Sequence, residues 1–190
     1  MKLKYSLHNK NEHKSFYAKR INTPYRGDDW HYHDEFELYF PMPGSGVRII
    51  GDSMEYYGSN ELVFCGSNLP HLFKTNLEDN DHDRVVVKFS KSLISQIIDN
   101  VPEFIQIKQL LIKSSRGILF PVSKSYSLSS DFISLSEAVG AESIIQLLNI
   151  LNKISSIQNF RLLTSDSYKN ISESRNDERL QKVINFITEN

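Results

Sequence analysis

Apolar residues recur along this chain with two different periods, and the change from one to the other falls near residue 90. Before it, short runs rich in aromatic and β-branched residues alternate with turn formers. Ser15-Phe16-Tyr17-Ala18-Lys19 and Phe36-Glu37-Leu38-Tyr39-Phe40 read as strands. Gly44-Ser45-Gly46 is a tight turn leading into a third, Val47-Arg48-Ile49-Ile50. Arg84 to Phe89, centred on Val85-Val86-Val87, is a fourth. Gly51-Asp52-Ser53, Gly58-Ser59-Asn60 and the stretch from Asn76 to Asp83 punctuate the rest. Strands recurring every ~8–12 residues between such signals predict an all-β barrel or sandwich.

After Ser90 the period becomes helical. Leu93, Ile94, Ile97 and Ile98 share one face of a helix that Ser90 or Ser92 can cap. A second helix is expected from Pro102 to Lys113, and Gly117 to Val122 reads as one short strand. The longest helix is expected over roughly Ser134 to Leu163. Its stripe is Ile144, Leu147, Leu148, Leu151 and Ile154, with Gln146, Asn149, Lys153 and Ser156 opposite. Such a stripe packs on the chain's own core, and this one is broad enough to meet a partner helix too, which predicts a homodimer. Thr164 to Asn176 is polar and serine-rich and reads as a linker. Behind an Asp177 cap, Leu180, Val183, Ile184 and Ile187 open an amphipathic helix still running at Asn190. The expected organisation is a β-barrel domain over 1–90, a helical annex over 91–163, a linker over 164–176, and over 177–190 the start of a further domain that continues past the end of this chain.

Composition narrows the function. Of 190 residues, 39% are hydrophobic and 24% charged, as in an ordinary soluble domain. Net charge is -1 and the pI about 6.6, so there is no basic excess for holding DNA phosphates, and DNA binding by this chain alone is not expected. Met1-Lys2-Leu3-Lys4-Tyr5-Ser6 opens no signal peptide, and no apolar run approaches the ~18 residues of a membrane span. A cytoplasmic location without membrane contact follows. The single cysteine, Cys65, lies in Leu62-Val63-Phe64-Cys65 and reads as a buried strand residue rather than a reactive thiol. There is no phosphate-cradling glycine loop, nucleophile elbow or Cys-x-x-Cys.

The chemistry is concentrated in Trp30-His31-Tyr32-His33-Asp34-Glu35-Phe36-Glu37. On one strand, alternation puts His31, His33, Glu35, Glu37 and Tyr39 on a common face. Two imidazoles and a carboxylate there are the beginning of a site for a divalent transition metal such as Zn, Ni, Fe or Mn. His71, ending Asn68-Leu69-Pro70-His71, is a fourth ligand candidate. Arg48 either meets the Glu35–Glu37 pair or lies in solvent opposite two core aliphatics. Trp30 either packs to close the barrel mouth or stacks on a sugar-like ligand.

His31-x-His33, three residues, Glu37, six residues, Gly44 reproduces most of the first cupin motif, with the leading glycine out of register. Asn60-Glu61, Gly66, Asn68 and His71 stand in for the second motif. Residues 30–38, 44–52 and 62–71 together resemble the sensor domain of AraC-family transcription regulators. The helices that follow resemble the segment by which those sensors dimerise, and 177–187 resembles the first helix of the family's helix-turn-helix DNA-binding domain. The resemblance implies a mainly β fold: a single cupin (double-stranded β-helix, jelly-roll) barrel followed by a C-terminal helical annex. It implies His31, His33, Glu37 and His71 as metal ligands. Without metal, the same four line a pocket with Glu35, Tyr39 and Arg48. It also implies a non-enzymatic sensor for a small polar effector, a carbohydrate among the choices, acting on DNA only through the missing domain. The alternative is a metal-dependent cupin enzyme, a dioxygenase or sugar isomerase.

Overall fold

The computed structural model describes residues 3–6, 15–22, 29–75 and 82–169. The expected linker residues 170–176 and the helix expected over 177–190 lie outside this set. The described strands are β1 (Lys4–Tyr5), β2 (Phe16–Asn22), β3 (His31–Tyr32), β4 (Phe36–Pro41), β5 (Gly46–Ile50), β6 (Ser53–Tyr57), β7 (Val63–Cys65), β8 (His71–Thr75), β9 (Asp83–Phe89), β10 (Ile118–Leu119) and β11 (Arg161–Leu162). The helices are α1 (Lys91–Ile98), α2 (Ile105–Lys113), α3 (Val122–Tyr126), α4 (Ser129–Glu137) and α5 (Ala141–Ser155). The strands form two sheets, β1-β3-β8-β5-β6 and β11-β10-β7-β4-β9-β2. Every pairing is antiparallel except that of β1 with β3.

Strand alternation decides what each face buries. On the inner face, Tyr39, Val63, Cys65 and Val86 of the larger sheet meet Ile50, Tyr57 and Phe73 of the smaller one. On the outer face, Phe36, Leu38, Phe40, Phe64, Val85, Val87 and Phe89 pack against the helices through Ile94, Ile107, Phe132, Leu147 and Leu151. All six residues of β4 are therefore buried, because water reaches neither of its faces. The stripe on α5 is spent mostly on this core: Leu147, Leu151 and Ile154 are fully buried, as is Ile150, while Ile145 is exposed.

Three expectations are corrected. The helix expected over 134–163 is two helices. α4 ends at Glu137 and Gly140 takes φ 60, ψ −145, a backbone region only glycine enters freely, so the axis turns before α5. The barrel also takes in strands from beyond residue 90: the short strand expected over 117–122 forms β10, and with β11 it extends the larger sheet beyond β7. Finally, the serine-rich start of the expected linker is tied down. Thr164 is buried and exchanges hydrogen bonds with Arg116, whose guanidinium donates to the Thr164 carbonyl at 2.7 Å. Ser165 donates through its N–H and hydroxyl to Asp52 in the β5–β6 turn. That turn admits the segment because Gly51, at φ 57, has no Cβ; one would stand 2.6 Å from Thr164 Cγ2.

Candidate functional site

His31, His33, Glu37 and His71 converge although they do not share one strand. The strand expected through residues 30–40 breaks at the bend Asp34–Glu35. His31 and His33 belong to the smaller-sheet side of this corner, and Glu37 rises from the larger sheet. Because the two inner faces oppose each other, the corner brings them together. His71 arrives by pairing, its Cα in register with His31 across β3 and β8. The turn delivering it holds Asn68 at φ 59, the left-handed conformation asparagine tolerates. One ligand atom from each of the four residues lies within 4.8 Å of all the others, and all four are buried.

The hydrogen bonds fix how the imidazoles present themselves. His31 Nδ1 donates to the Asp29 carbonyl at 2.7 Å, His33 Nδ1 to that of Glu35 at 3.1 Å, and His71 Nδ1 to that of Leu69 at 2.8 Å. A carbonyl only accepts, so each Nδ1 carries the proton and, in the neutral ring, Nε2 offers a lone pair. His33 Nε2 and His71 Nε2 lie 3.0 and 3.3 Å from Glu37 Oε2. Two acceptors at that distance repel unless a proton or a cation stands between them. Three anchored imidazoles and a carboxylate are a donor set that fits a divalent transition metal, with the backbone carbonyls as the outer shell.

Lys88, which the sequence reading missed, completes the cluster. On β9 it lies in register with Glu37 on β4, and its Nζ is 3.0 Å from Glu37 Oε2. Burial works against the Glu37 carboxylate, yet the Lys88 ammonium, with the His71 and His33 rings beside it, holds its pKa well below the ordinary value. Burial, and then the neighbouring His71, lower the pKa of His31 to about 4. These shifts give a signed expectation for chelator-treated protein. The unfolded chain protonates His31 near 6.5, so stability should fall as pH drops from 6.5 towards 4, where the folded state protonates as well. Glu37 contributes stability above 4.5 and loses it progressively below, so the decline continues. Urea midpoints between pH 7 and 4 check this, and His31→Gln should flatten the first part of the curve.

The other expected site residues lie apart from the convergence. Glu35 is half-buried at the rim, its carboxylate 3.6 Å from His33 Nδ1, on the far side of that ring from Glu37. Tyr39 stacks on Phe73 with ring centroids 3.7 Å apart and planes 5° apart, filling the barrel beside the cluster. Arg48 meets neither Glu35 nor Glu37, and it is not in solvent. It is buried on the inner face and pairs with Glu61 at 2.5 Å and Glu55 at 2.9 Å. Register explains this: Arg48 stands opposite Glu55 on β6 and Phe73 on β8, one inward position along from the His71–Ile50 pair. Glu55 is gripped in turn by both guanidinium nitrogens of Arg161 on β11 at 2.7 Å. Arg161 first, and Arg48 with it, bring the Glu55 carboxyl down to about 2 against the effect of burial. Trp30 is buried and packs with Leu72, Leu3 and Ile49. Burial, then the charge of Glu37, pushes the Cys65 thiol well up, which leaves it inert. Two cavities lie outside the barrel, one of about 510 Å³ between β2 and the α4–α5 corner and one of about 540 Å³ against α1 and α2.

No family model and no curated protein matches the chain by sequence. Among solved structures it is similar to ToxT from Vibrio cholerae O395 bound to (E)-4-(8-methylnaphthalen-1-yl)but-3-enoic acid, with a TM-score of 0.51 and 14% identity, over 90% of this chain and 76% of that one. The AraC-like transcriptional activator CuxR matches at a TM-score of 0.49 and 10% identity, over 81% of this chain and 51% of that one. A Cupin 2 conserved barrel domain protein from Salinispora arenicola CNS-205 matches at 0.37 and 14%, over 47% of this chain and 76% of that one. The likeness to ToxT is one of fold: mainly β, a cupin-type barrel with a helical region behind it. Among the described residues, no helix is long and apolar enough to cross a membrane.

Proposed function

We propose that this chain is the effector-sensing and dimerisation region of an AraC-like transcription regulator, working in the cytoplasm. A small polar molecule, a carbohydrate being one class, binds at the His31, His33, Glu37, His71 cluster, bordered by Glu35, Tyr39 and Arg48. DNA is bound through a helix-turn-helix domain that follows residue 176. The observation carrying this reading is the chain of charged contacts from the barrel interior to the outgoing segment: Arg48 to Glu55 to Arg161, with Arg116 and Asp52 holding Thr164 and Ser165. A change at the inner face of β5 would thereby reach the segment from Thr164 to Ser165. An enzyme barrel has no use for such a connection.

His31, His33, Glu37 and His71 would hold a divalent ion, which when bound supplies a Lewis acid for an effector's oxygen atoms. Dimerisation would use the exposed Ile145 and the half-buried Ile144 of α5, next to Leu148, which also packs on the core. A metal-dependent cupin enzyme is the second reading, favoured by the same donor set. The two separate on DNA binding by the protein encoded by the complete reading frame, with and without small polar molecules.

A further inference from the structure

Lys88 occupies a place that a metal ligand set does not need. Glu37 Oε2 already faces His33 Nε2 and His71 Nε2 at 3.0 and 3.3 Å, and the Lys88 ammonium is the third nitrogen on that same oxygen, at 3.0 Å. The pair is cross-strand, between directly opposed residues of β4 and β9, so it belongs to the barrel wall and not to a loop. It is also well inside: the Lys88 side chain is 11% exposed and that of Glu37 3%. The buried Glu37 carboxylate thus already has a counter-charge in the Lys88 ammonium on its own oxygen.

We propose that Lys88 is a built-in cation that competes with a divalent metal for Glu37, so that an ion enters only when the Lys88 ammonium withdraws. This rests on the metal-binding reading of the four ligands given above. A divalent ion at the convergence would take the same carboxylate oxygen, and would put two like-charged groups within a few ångströms in a site from which water is largely excluded. One of them has to leave. Lys88 can, since its ammonium rides on a flexible four-carbon stem and hydrates readily once it reaches the rim. The lysine therefore sets a threshold for metal occupancy, and it couples the filling of the site to a movement on the inner face of β9. A structural ion pair without this role would stabilise the barrel and leave metal affinity untouched by its removal.

The test is titration of the purified 190-residue protein with Co²⁺, followed by calorimetry and by the visible absorption bands of the bound ion. The wild type is compared with Lys88→Met, which keeps the length of the stem and removes the charge, with Lys88→Arg, which keeps the charge, and with Glu37→Gln. Thermal unfolding of each variant confirms that it is folded. The expected result is that Lys88→Met binds Co²⁺ at least about tenfold more tightly than the wild type. Lys88→Arg should stay near the wild type, and Glu37→Gln should lose the site. Equal or weaker binding by folded Lys88→Met, with clear binding by the wild type, would overturn the competition while leaving the metal site standing. No binding by any variant, Lys88→Met included, would overturn both.

Discussion

Phe132→Ala should destabilise the barrel and the helices together, by about 3–5 kcal/mol. Phe132 on α4 is fully buried, and its ring lies 4.9 Å from that of Phe40 at the centre of β4. Both belong to the cluster in which the outer face of the larger sheet packs on α1, α2, α4 and α5. Truncation removes an aromatic ring from a layer with no second surface to collapse onto, so the transfer loss and the cavity loss add. Because β10 and β11, which flank α3, α4 and α5, are strands of the larger sheet, unfolding should remain a single transition. Circular dichroism at a helix-sensitive wavelength and the fluorescence of Trp30, the single tryptophan and buried in the barrel, should give coincident midpoints, both lowered. Separate transitions would mean that the helical region is an independent domain.

Glu37→Ala should cost a similar amount, about 3–5 kcal/mol, for an electrostatic reason. Glu37 is the one carboxylate that Lys88, His33 and His71 all approach, and it is 2% exposed. Its removal leaves a buried ammonium beside three imidazoles with the shared counter-charge gone. Glu37→Gln keeps the shape and one acceptor oxygen and should cost less. Urea denaturation in chelator at pH 7 measures both. A loss below about 1 kcal/mol for Glu37→Ala would place the Lys88–Glu37 pair among weak, solvent-screened contacts.

The cluster was legible in the sequence through spacing and the fold through period, but for partly different reasons than alternation supplies. His31, His33 and Glu37 were grouped as one strand face, whereas a bend at Asp34–Glu35 moves the chain between sheets and opposition of the sheets restores the convergence. The four candidate ligand residues carry their own signal, being histidine and glutamate at short intervals. Lys88 does not. Arg84, Val86 and Lys88 alternate with Val85, Val87 and Phe89 in the sequence, but only the pairing of β9 with β4 says that Lys88 faces Glu37. The surroundings of Arg48 are hidden for the same reason, since its partners Glu55 and Glu61 and, through Glu55, Arg161 are fixed by the fold and not by spacing. The break at Gly140 was visible as a glycine inside a helical stripe, and the longer periodic pattern around it hid its effect. The serine-rich run from Thr164 reads as a linker by composition, yet short hydroxyl side chains also satisfy turns, and Asp52 and Arg116 use them so.

The most direct test of the proposed function is a gel-shift titration of the gene's own upstream region with the protein encoded by the complete reading frame. Residues 1–190 run alongside it at a stated salt concentration, and a panel of sugars and other small polar molecules is added to each. The account predicts saturable, sequence-specific binding by the complete protein and none by residues 1–190, with at least one effector shifting the affinity. Substitution of His33 and His71 by alanine should abolish the effector's influence while leaving DNA binding intact. Absence of specific binding by the complete protein, or specific and salt-resistant binding by residues 1–190 alone, would contradict it.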